Sequence, residues 1–362
     1  MSTTWGTLSG RLVKNSMEQK LPLIGEFELT GRCNLSCGMC YVNCLNQKEA
    51  EKKERSAKEW IGLAKEAFDA GMLFLLLTGG EIFIRKDFQV IYEELAMMGF
   101  NLTLYTNGTL ITPQIASWLG RVRPSQIEVT LYGASQATYK KVCGNAEGFS
   151  RTLNGIELLL AQGINVQVRT SIIKENVDDF ENMAELTKKF GLQLGIVNYI
   201  SPRRDGEKPA QNTRLSPKET ALLEKRIEEY NIRTDTSHAY VTEDTSLANH
   251  TQEQSCQLYD INDPFQCGSA KNSFWITWEG KMVPCSFMNQ PSTLPFEKGF
   301  QTAWKELIKL CSLVPVCKVC SNCELSEYCA TCPAKLYNET GSFEKASQYL
   351  CELARERKQV MV

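Results

Sequence analysis

The sequence predicts an α/β fold built on a parallel sheet, and three observations carry that expectation. Between about residues 24 and 200, short apolar runs alternate six times with longer segments of helical period, the pattern of consecutive βα units. Gly71, Gly99, Gly163 and Gly191 each follow a helical segment and precede the next apolar run, where a glycine C-cap belongs. The chemically informative residues fall at the carboxyl ends of the predicted strands, which is where parallel sheets place ligands. The spacing suits a barrel and an open doubly wound sheet equally well.

Taken in order, the strand candidates are Ile24–Leu29, Leu73–Thr78, Asn101–Thr106, Ile127–Leu131, Val166–Ile172 and Gln193–Val197. Helices are expected near 57–70, 87–98, 113–120, 150–162 and 177–190. The charge run at 48–60 is expected to form the solvated face and start of the first of them. Residues 1–22 read as an N-terminal tail and 23–200 as the α/β domain. Residues 201–255, polar apart from one helix near 217–230, read as a bridge, and 256–362 as a second domain. The only two histidines, His238 and His250, lie in the bridge and read as solvated bystanders. In the bridge, Arg203 and Arg204 follow the sixth strand directly and would face the same mouth, either binding a carboxylate or forming a solvated turn.

With 40 Lys+Arg against 42 Asp+Glu, the chain lacks the basic footprint of a nucleic-acid binder. No apolar run approaches the roughly 18 residues of a membrane span. The first 25 residues lack the apolar stretch and cleavage site of a secretory signal, so a cytoplasmic location is expected. Against that background the 15 cysteines stand out: Cys33, Cys37, Cys40 and Cys44 near the start, an isolated Cys143, and ten from Cys256 onward. In a reducing compartment such clustering reads as metal ligation or catalysis, not as a disulfide framework. Cys143 and Cys311 read instead as small buried hydrophobes.

Cys33, Cys37 and Cys40 lie in the loop directly after the first strand. Tightly spaced thiolates suit an iron–sulfur cluster, and three cysteines on a four-iron cubane leave one iron open. Structural zinc, or closure of the set by Cys44, is the alternative on spacing alone. Thr78-Gly79-Gly80-Glu81 ends the second strand and Tyr105-Thr106-Asn107-Gly108 the third. The glycines would let backbone approach a ligand closely, and the carboxylate would accept from an ammonium group.

Together these motifs resemble the radical S-adenosylmethionine (SAM) enzymes over about residues 24–200. The resemblance implies a partial (β/α)6 TIM-like barrel with a [4Fe-4S] cluster on Cys33, Cys37 and Cys40, whose open iron is chelated by SAM. It further implies that Gly79, Gly80 and Glu81 hold the SAM amino group, that Asn107 lies in the cofactor site, that Thr130 reaches the ribose and that Arg169 reaches the carboxylate. Met39 stands where an aromatic residue is usual and Tyr41 follows the third cysteine, so both are candidates for the adenine contact. Ile82 replaces the usual proline after the glutamate. The implied chemistry is hydrogen-atom abstraction from a substrate C–H by a 5′-deoxyadenosyl radical, with an external one-electron donor such as flavodoxin or ferredoxin.

The C-terminal cysteines resemble a SPASM extension, which implies two auxiliary [4Fe-4S] clusters and three clusters in all. Cys267 is followed by twelve residues, Gly280, four residues and Cys285, then by Cys320, Cys323, Cys329, Cys332 and Cys351. By analogy Cys320, Cys323, Cys329 and Cys351 would bind the outer cluster, and Cys267, Cys285 and Cys332 the inner one. Cys256, Cys317 or nothing would complete the inner set. Read in isolation, Cys317, Cys320, Cys329 and Cys332 also form the two CxxC pairs of a zinc ribbon. Two auxiliary clusters favour oxidation of the substrate. The expected function is therefore maturation of a ribosomally made peptide by a thioether or carbon–carbon cross-link, with a precursor peptide as partner. A small-molecule reaction on a tetrapyrrole side chain or a sugar, or maturation of a sulfatase, is the alternative.

Overall fold

The computed structural model describes residues 5–42, 47–204, 210–233, 263–329 and 331–361; Cys44, His238, His250 and Cys256 lie outside them. Eight strands form one sheet: β1 (Ile24–Glu28), β2 (Phe74–Thr78), β3 (Asn101–Thr106), β4 (Gln126–Thr130), β5 (Val166–Ser171), β6 (Leu194–Val197), β7 (Ser273–Ile276) and β8 (Met282–Val283). Their order is β6-β5-β4-β3-β2-β1-β7-β8, parallel throughout except for the β7–β8 pair. Because β1 to β6 follow one another without a reversal, the sheet has no switch point of the doubly wound kind. Right-handed crossovers then put every helix on one face, as in a barrel wall.

Side-chain alternation explains how that wall is held. Phe27, Leu75, Leu77, Leu102, Leu104, Ile127, Val129, Val166, Val168, Leu194 and Ile196 point to the helical layer and are buried. They join one apolar core with Trp60, Leu63, Ile91, Leu95, Leu119, Ile156, Leu159, Phe180 and Met183. The opposite face carries Glu26, Glu28, Tyr105, Glu128, Thr130 and Arg169, so the barrel interior is polar.

The helices are α1 (Trp5–Gln19), α2 (Gln47–Lys53), α3 (Ala57–Asp69), α4 (Phe88–Met97), α5 (Pro113–Arg121), α6 (Gln136–Cys143), α7 (Gly148–Ala161) and α8 (Phe180–Lys189). They continue with α9 (Ala210–Thr213), α10 (Pro217–Arg233), α11 (Pro295–Lys298), α12 (Phe300–Cys311), α13 (Lys318–Ser321), α14 (Pro333–Thr340) and α15 (Gln348–Met361). Expected helix positions agree where local chemistry is strong: Ser56 and Glu59 form a capping box at α3, and Thr112 caps α5 with Pro113 at its first position.

Of the elements that were not expected, three shape the barrel and its neighbours. Helix α1 occupies most of the first 22 residues and is joined to the C-terminal region, where Asn272 Nδ2 donates to Ser16 Oγ at 2.9 Å. Helix α6 fits between β4 and α7. Strand β7 adds a seventh parallel strand on the β1 edge, in register Gly25↔Phe274, and Phe274 packs on Phe300 and Trp304 of α12. The charge run at 48–60 also differs from the expected solvated helix start. It breaks into α2 and α3, and the Glu54 side chain between them, 9% exposed, meets Arg32 Nε at 2.8 Å, with Arg85 Nη1 at 3.8 Å. No helix of the described residues is long and apolar enough to cross a membrane.

Candidate active site

The cysteine loop leaves β1 alongside the end of β2. Leu29 N donates to Thr78 O, Gly80 N to Thr30 O and Glu81 N to Arg32 O, each at 2.8 Å. This contact is what requires two glycines. A Cβ on Gly79 would stand 2.4 Å from Thr30 O, and one on Gly80 would stand 2.2 Å from Arg32 O. Gly79 also has φ +147°, which side-chain-bearing residues rarely adopt. The glycine pair therefore admits the backbone of the cysteine loop, where the sequence suggested close approach of a ligand. Arg85 Nη1 reinforces the junction by donating to Leu29 O at 2.7 Å.

From below, the loop rests on the end of α6: Ser36 N donates to Cys143 O at 3.1 Å and Gly38 N to Val142 O at 3.2 Å. Cys33, Cys37 and Cys40 are half-buried free thiols on this support. Asn107 Nδ2 reaches Cys33 Sγ at 3.7 Å and Asn34 Oδ1 at 3.0 Å, so the end of β3 borders the loop as expected. Burial pushes the Cys33 thiol up to about 12. Cys37 is raised by its hydrogen bond with Cys143, then by burial, and Cys40 raises both electrostatically. Thiols so placed ionise readily only against a bound cation. Three on one short loop fit a cluster held at three corners. When bound, such a cluster supplies the electron that splits the SAM sulfonium.

Glu81 is buried, and that burial raises its carboxyl to about 6 against the opposing effect of its hydrogen bonds. It accepts from Asn107 N at 2.8 Å, Phe83 N at 3.1 Å and Thr106 Oγ1 at 2.9 and 3.0 Å. Three donors on a carboxylate with about four acceptor positions leave about one for a ligand ammonium. Glu81 thus also braces the β2 loop against the β3 loop.

The remaining predicted contacts are divided between two places. Thr130 sits at the end of β4 in register with Arg169 on β5. Arg169 Nε meets Glu128 Oε2 at 2.9 Å and its guanidinium lies 5.7 Å from the Tyr105 ring centroid, so its charge is matched inside the barrel. Met39 packs with Val142, Ile173, Ile200 and Tyr132. Tyr41 points elsewhere, with its ring 6.4 Å from that of Trp275 and 5.2 Å from the Arg204 guanidinium.

Arg203 and Arg204 are not a solvated turn. Arg203 is buried. Arg204 Nη2 reaches across from the segment after β6 to Glu28 Oε1 on β1 at 2.7 Å. Glu28, with 0% exposure, also accepts from Trp275 Nε1 at 2.7 Å and Trp278 N at 3.2 Å. The sequence reading missed Glu28. Its signal was present in IGEFE, where two glutamates at period 2 interrupt an apolar strand and so mark a polar interior face.

The comparisons agree with this geometry. The family model described as the Radical SAM superfamily matches residues 27–187, from β1 to the α8 region, and so includes the cysteine loop and the glycine-glycine-glutamate end of β2. The chain carries a radical SAM domain. It is similar to the "AdoMet-dependent heme synthase" of Methanosarcina barkeri, 26% identical over 344 residues, 91% of this chain and 96% of the relative. It is also similar to the "Antilisterial bacteriocin subtilosin biosynthesis protein AlbA" of Bacillus subtilis, 28% identical over 186 residues, 51% of this chain and 41% of that protein. Among solved structures, Streptococcus suis SuiB bound to its precursor peptide SuiA superposes with a TM-score of 0.72 at 18% identity, covering 94% of this chain and 79% of SuiB. That last likeness concerns the fold.

Beyond the radical SAM domain the C-terminal thiols form two neighbourhoods. Cys285 is raised by burial, then by Cys332 and Cys267, and further by Glu26 on β1. Cys332 is likewise raised by burial and lies within electrostatic range of Cys267. The other neighbourhood gathers Cys320 with Cys317, Cys351 and Cys329. Cys317 Sγ lies 3.0 Å from Cys320 Sγ and 3.1 Å from Glu344 O, on the outer side and not with the inner trio. Cys323 N donates to Cys320 O at 3.2 Å, so Cys323 follows in the same turn. Among the described residues no three His, Cys, Asp or Glu side chains converge on one ion as they stand.

Proposed function

We propose that this radical SAM enzyme oxidatively modifies a ribosomally made peptide, by hydrogen-atom abstraction that leads to a thioether or carbon–carbon cross-link. In this reading Cys33, Cys37 and Cys40 bind the SAM cluster, and Gly79, Gly80, Glu81, Asn107, Thr130, Met39 and Tyr41 surround SAM. Arg169 reaches the SAM carboxylate only by exchanging part of its contact with Glu128. Cys267, Cys285 and Cys332 hold an inner auxiliary cluster, completed by Cys256 or left open, and Cys320, Cys323, Cys329 and Cys351 hold an outer one. An external flavodoxin or ferredoxin supplies electrons, and the location is cytoplasmic.

The observation that carries the reading is that Cys285 lies within electrostatic range of Cys332, Cys267 and Glu26 on β1. A redox group at that position can take an electron from a substrate radical in the barrel or hold the substrate there, which suits a net oxidation. The likeness to a bacteriocin biosynthesis protein and to a fold that holds a precursor peptide supports a peptide substrate. A second reading, reaction at a tetrapyrrole side chain, is favoured by the heme synthase relative, which aligns over nearly its whole length.

Anaerobically reconstituted protein is expected to hold about twelve irons, as three four-iron clusters require, and to release 5′-deoxyadenosine from SAM with reductant. Incubation with a short peptide encoded beside the gene should then give a product lighter by two hydrogens per cross-link. An unchanged peptide together with a mass change in an added iron-porphyrin would transfer the assignment to the tetrapyrrole reading.

A further inference from the structure

Arg204 holds a donor that the fold does not use. Its backbone is fixed, because Arg204 O accepts from Asn289 Nδ2, and its Nη2 is engaged by Glu28 Oε1 at 2.7 Å. Nη1 is buried and has no hydrogen-bond partner among the described residues. A guanidinium nitrogen can only donate, and leaving it unpaired out of water carries a cost that an acceptor removes. The place is the barrel mouth. Glu28 ends the interior face of β1, and Trp275, which shares Glu28 with Arg204, packs with Leu76 and Val283 and against Tyr105. Solvent is close by: the Arg204 side chain keeps 11% exposure, and Tyr41, whose ring lies 5.2 Å from the guanidinium, is 36% exposed.

The charge around Nη1 selects the kind of acceptor. Glu28, with 0% exposure, already balances the guanidinium. A second carboxylate on Nη1 would stand only a guanidinium's width from Glu28, and Glu26 lies on the same face of β1, so an anion would meet like charge where water is largely excluded. An uncharged carbonyl escapes that repulsion and still gains a charge-assisted hydrogen bond.

We propose that Arg204 is a substrate-binding residue whose Nη1 donates to a main-chain amide carbonyl of the peptide, beside the Tyr41 ring. The inference rests on the peptide reading above and deepens it: at this point the enzyme recognises the backbone, and neither an acidic side chain nor a propionate. The sequence alone suggested a carboxylate for this arginine, and its pairing with Glu28 changes the class of acceptor. Glu28 holds the guanidinium in place and cancels its charge.

The test uses full-length, anaerobically reconstituted protein with SAM but without reductant, so that binding is read apart from turnover. The probe is the synthetic short peptide encoded beside the gene, labelled for fluorescence anisotropy. Arg204→Lys keeps a counter-charge for Glu28 and lacks the second nitrogen; its dissociation constant for the peptide should rise about tenfold, the loss of one hydrogen bond to a charged group. The double variant Glu28→Leu/Arg204→Met, which strands no charge, should show the same loss and guards against a misfolded single variant. With reductant present the effect should fall on KM more than on kcat, as for a contact made equally in ground and transition states. Replacing the peptide's amides by esters one at a time weakens each carbonyl as an acceptor. One ester should weaken binding to wild type and not to Arg204→Lys. Unchanged peptide affinity in both variants, or no ester position coupled to Arg204, overturns the proposal. Coupling to an Asp or Glu side chain of the peptide, found by Asn or Gln replacement, overturns it in favour of an anion. A wild type that does not bind the peptide and binds an iron-porphyrin fails the peptide reading itself, a different result.

Discussion

The ion pair that spans the barrel mouth gives the sharpest stability prediction. Glu28 is completely buried and is the shared acceptor for Arg204 Nη2, Trp275 Nε1 and Trp278 N. Replacing it with leucine leaves a guanidinium only 11% exposed without that counter-charge, and leaves an indole N–H and a backbone N–H without their acceptor. Breaking one side of a buried pair costs about 3–5 kcal/mol. The two orphaned neutral donors fall partly within that figure, so about 4 kcal/mol is expected for Glu28→Leu. Glu28→Gln keeps an acceptor for Trp275 and should cost about half as much. The double variant Glu28→Leu/Arg204→Met removes the stranded charge and should recover most of the loss, because apolar replacement of a whole buried pair is often close to neutral. The assay is anaerobic urea unfolding of wild type, these three variants and the single variant Arg204→Met, followed by circular dichroism and tryptophan fluorescence, with coincidence of the two probes required. A Glu28→Leu variant within about 0.5 kcal/mol of wild type, or a double variant equal to the sum of the singles, would refute the reasoning.

Further expectations concern the loops and the clusters. Gly80→Ala places a Cβ 2.2 Å from the Arg32 carbonyl, a backbone atom that can yield only by moving the cysteine loop. It should lose SAM cleavage and about four irons, one cluster's worth, measured by iron analysis and 5′-deoxyadenosine release. Burial raises the Glu81 carboxyl from 4.5 to about 6, so the folded state holds a proton that the unfolded chain releases. Its contribution to stability is present below pH 4.5 and is lost as pH rises through about 6, a fall of about 2 kcal/mol at 1.36 kcal/mol per unit. Glu81→Gln should flatten that part of the stability profile measured by urea unfolding between pH 4.5 and 6.5. Cys285→Ala should remove about four irons while leaving SAM cleavage without substrate largely intact, because Cys285 belongs to the set beside Glu26 and not to the cysteine loop.

Much of the site was legible because it is local. Cys33, Cys37 and Cys40 share one loop, and Gly79, Gly80 and Glu81 share one strand end, so spacing alone places each group at the carboxyl end of its strand. Among the late cysteines, the structure sets Cys285 within electrostatic range of Cys332 and Cys267, and Cys320 beside Cys317 and within range of Cys351 and Cys329. The parts that were missed depend on what a residue meets across the fold. Glu54 read as part of a solvated charge run, yet its side chain is only 9% exposed because Arg32 and Arg85 converge on it from two other segments.

The sequence by itself determined the six βα repeats, their order in the chain and the grouping of the cysteines along it, because periodicity and spacing are properties of neighbouring residues. Tertiary structure alone decided two other things: that β7 extends the sheet beside β1, and that Arg204 is neutralised by Glu28. Each joins groups far apart along the chain, β1 with β7 and Glu28 with Arg204. Pairing across such distances is set by the closure of the barrel wall, and an amino-acid string read along its length carries no measure of that closure.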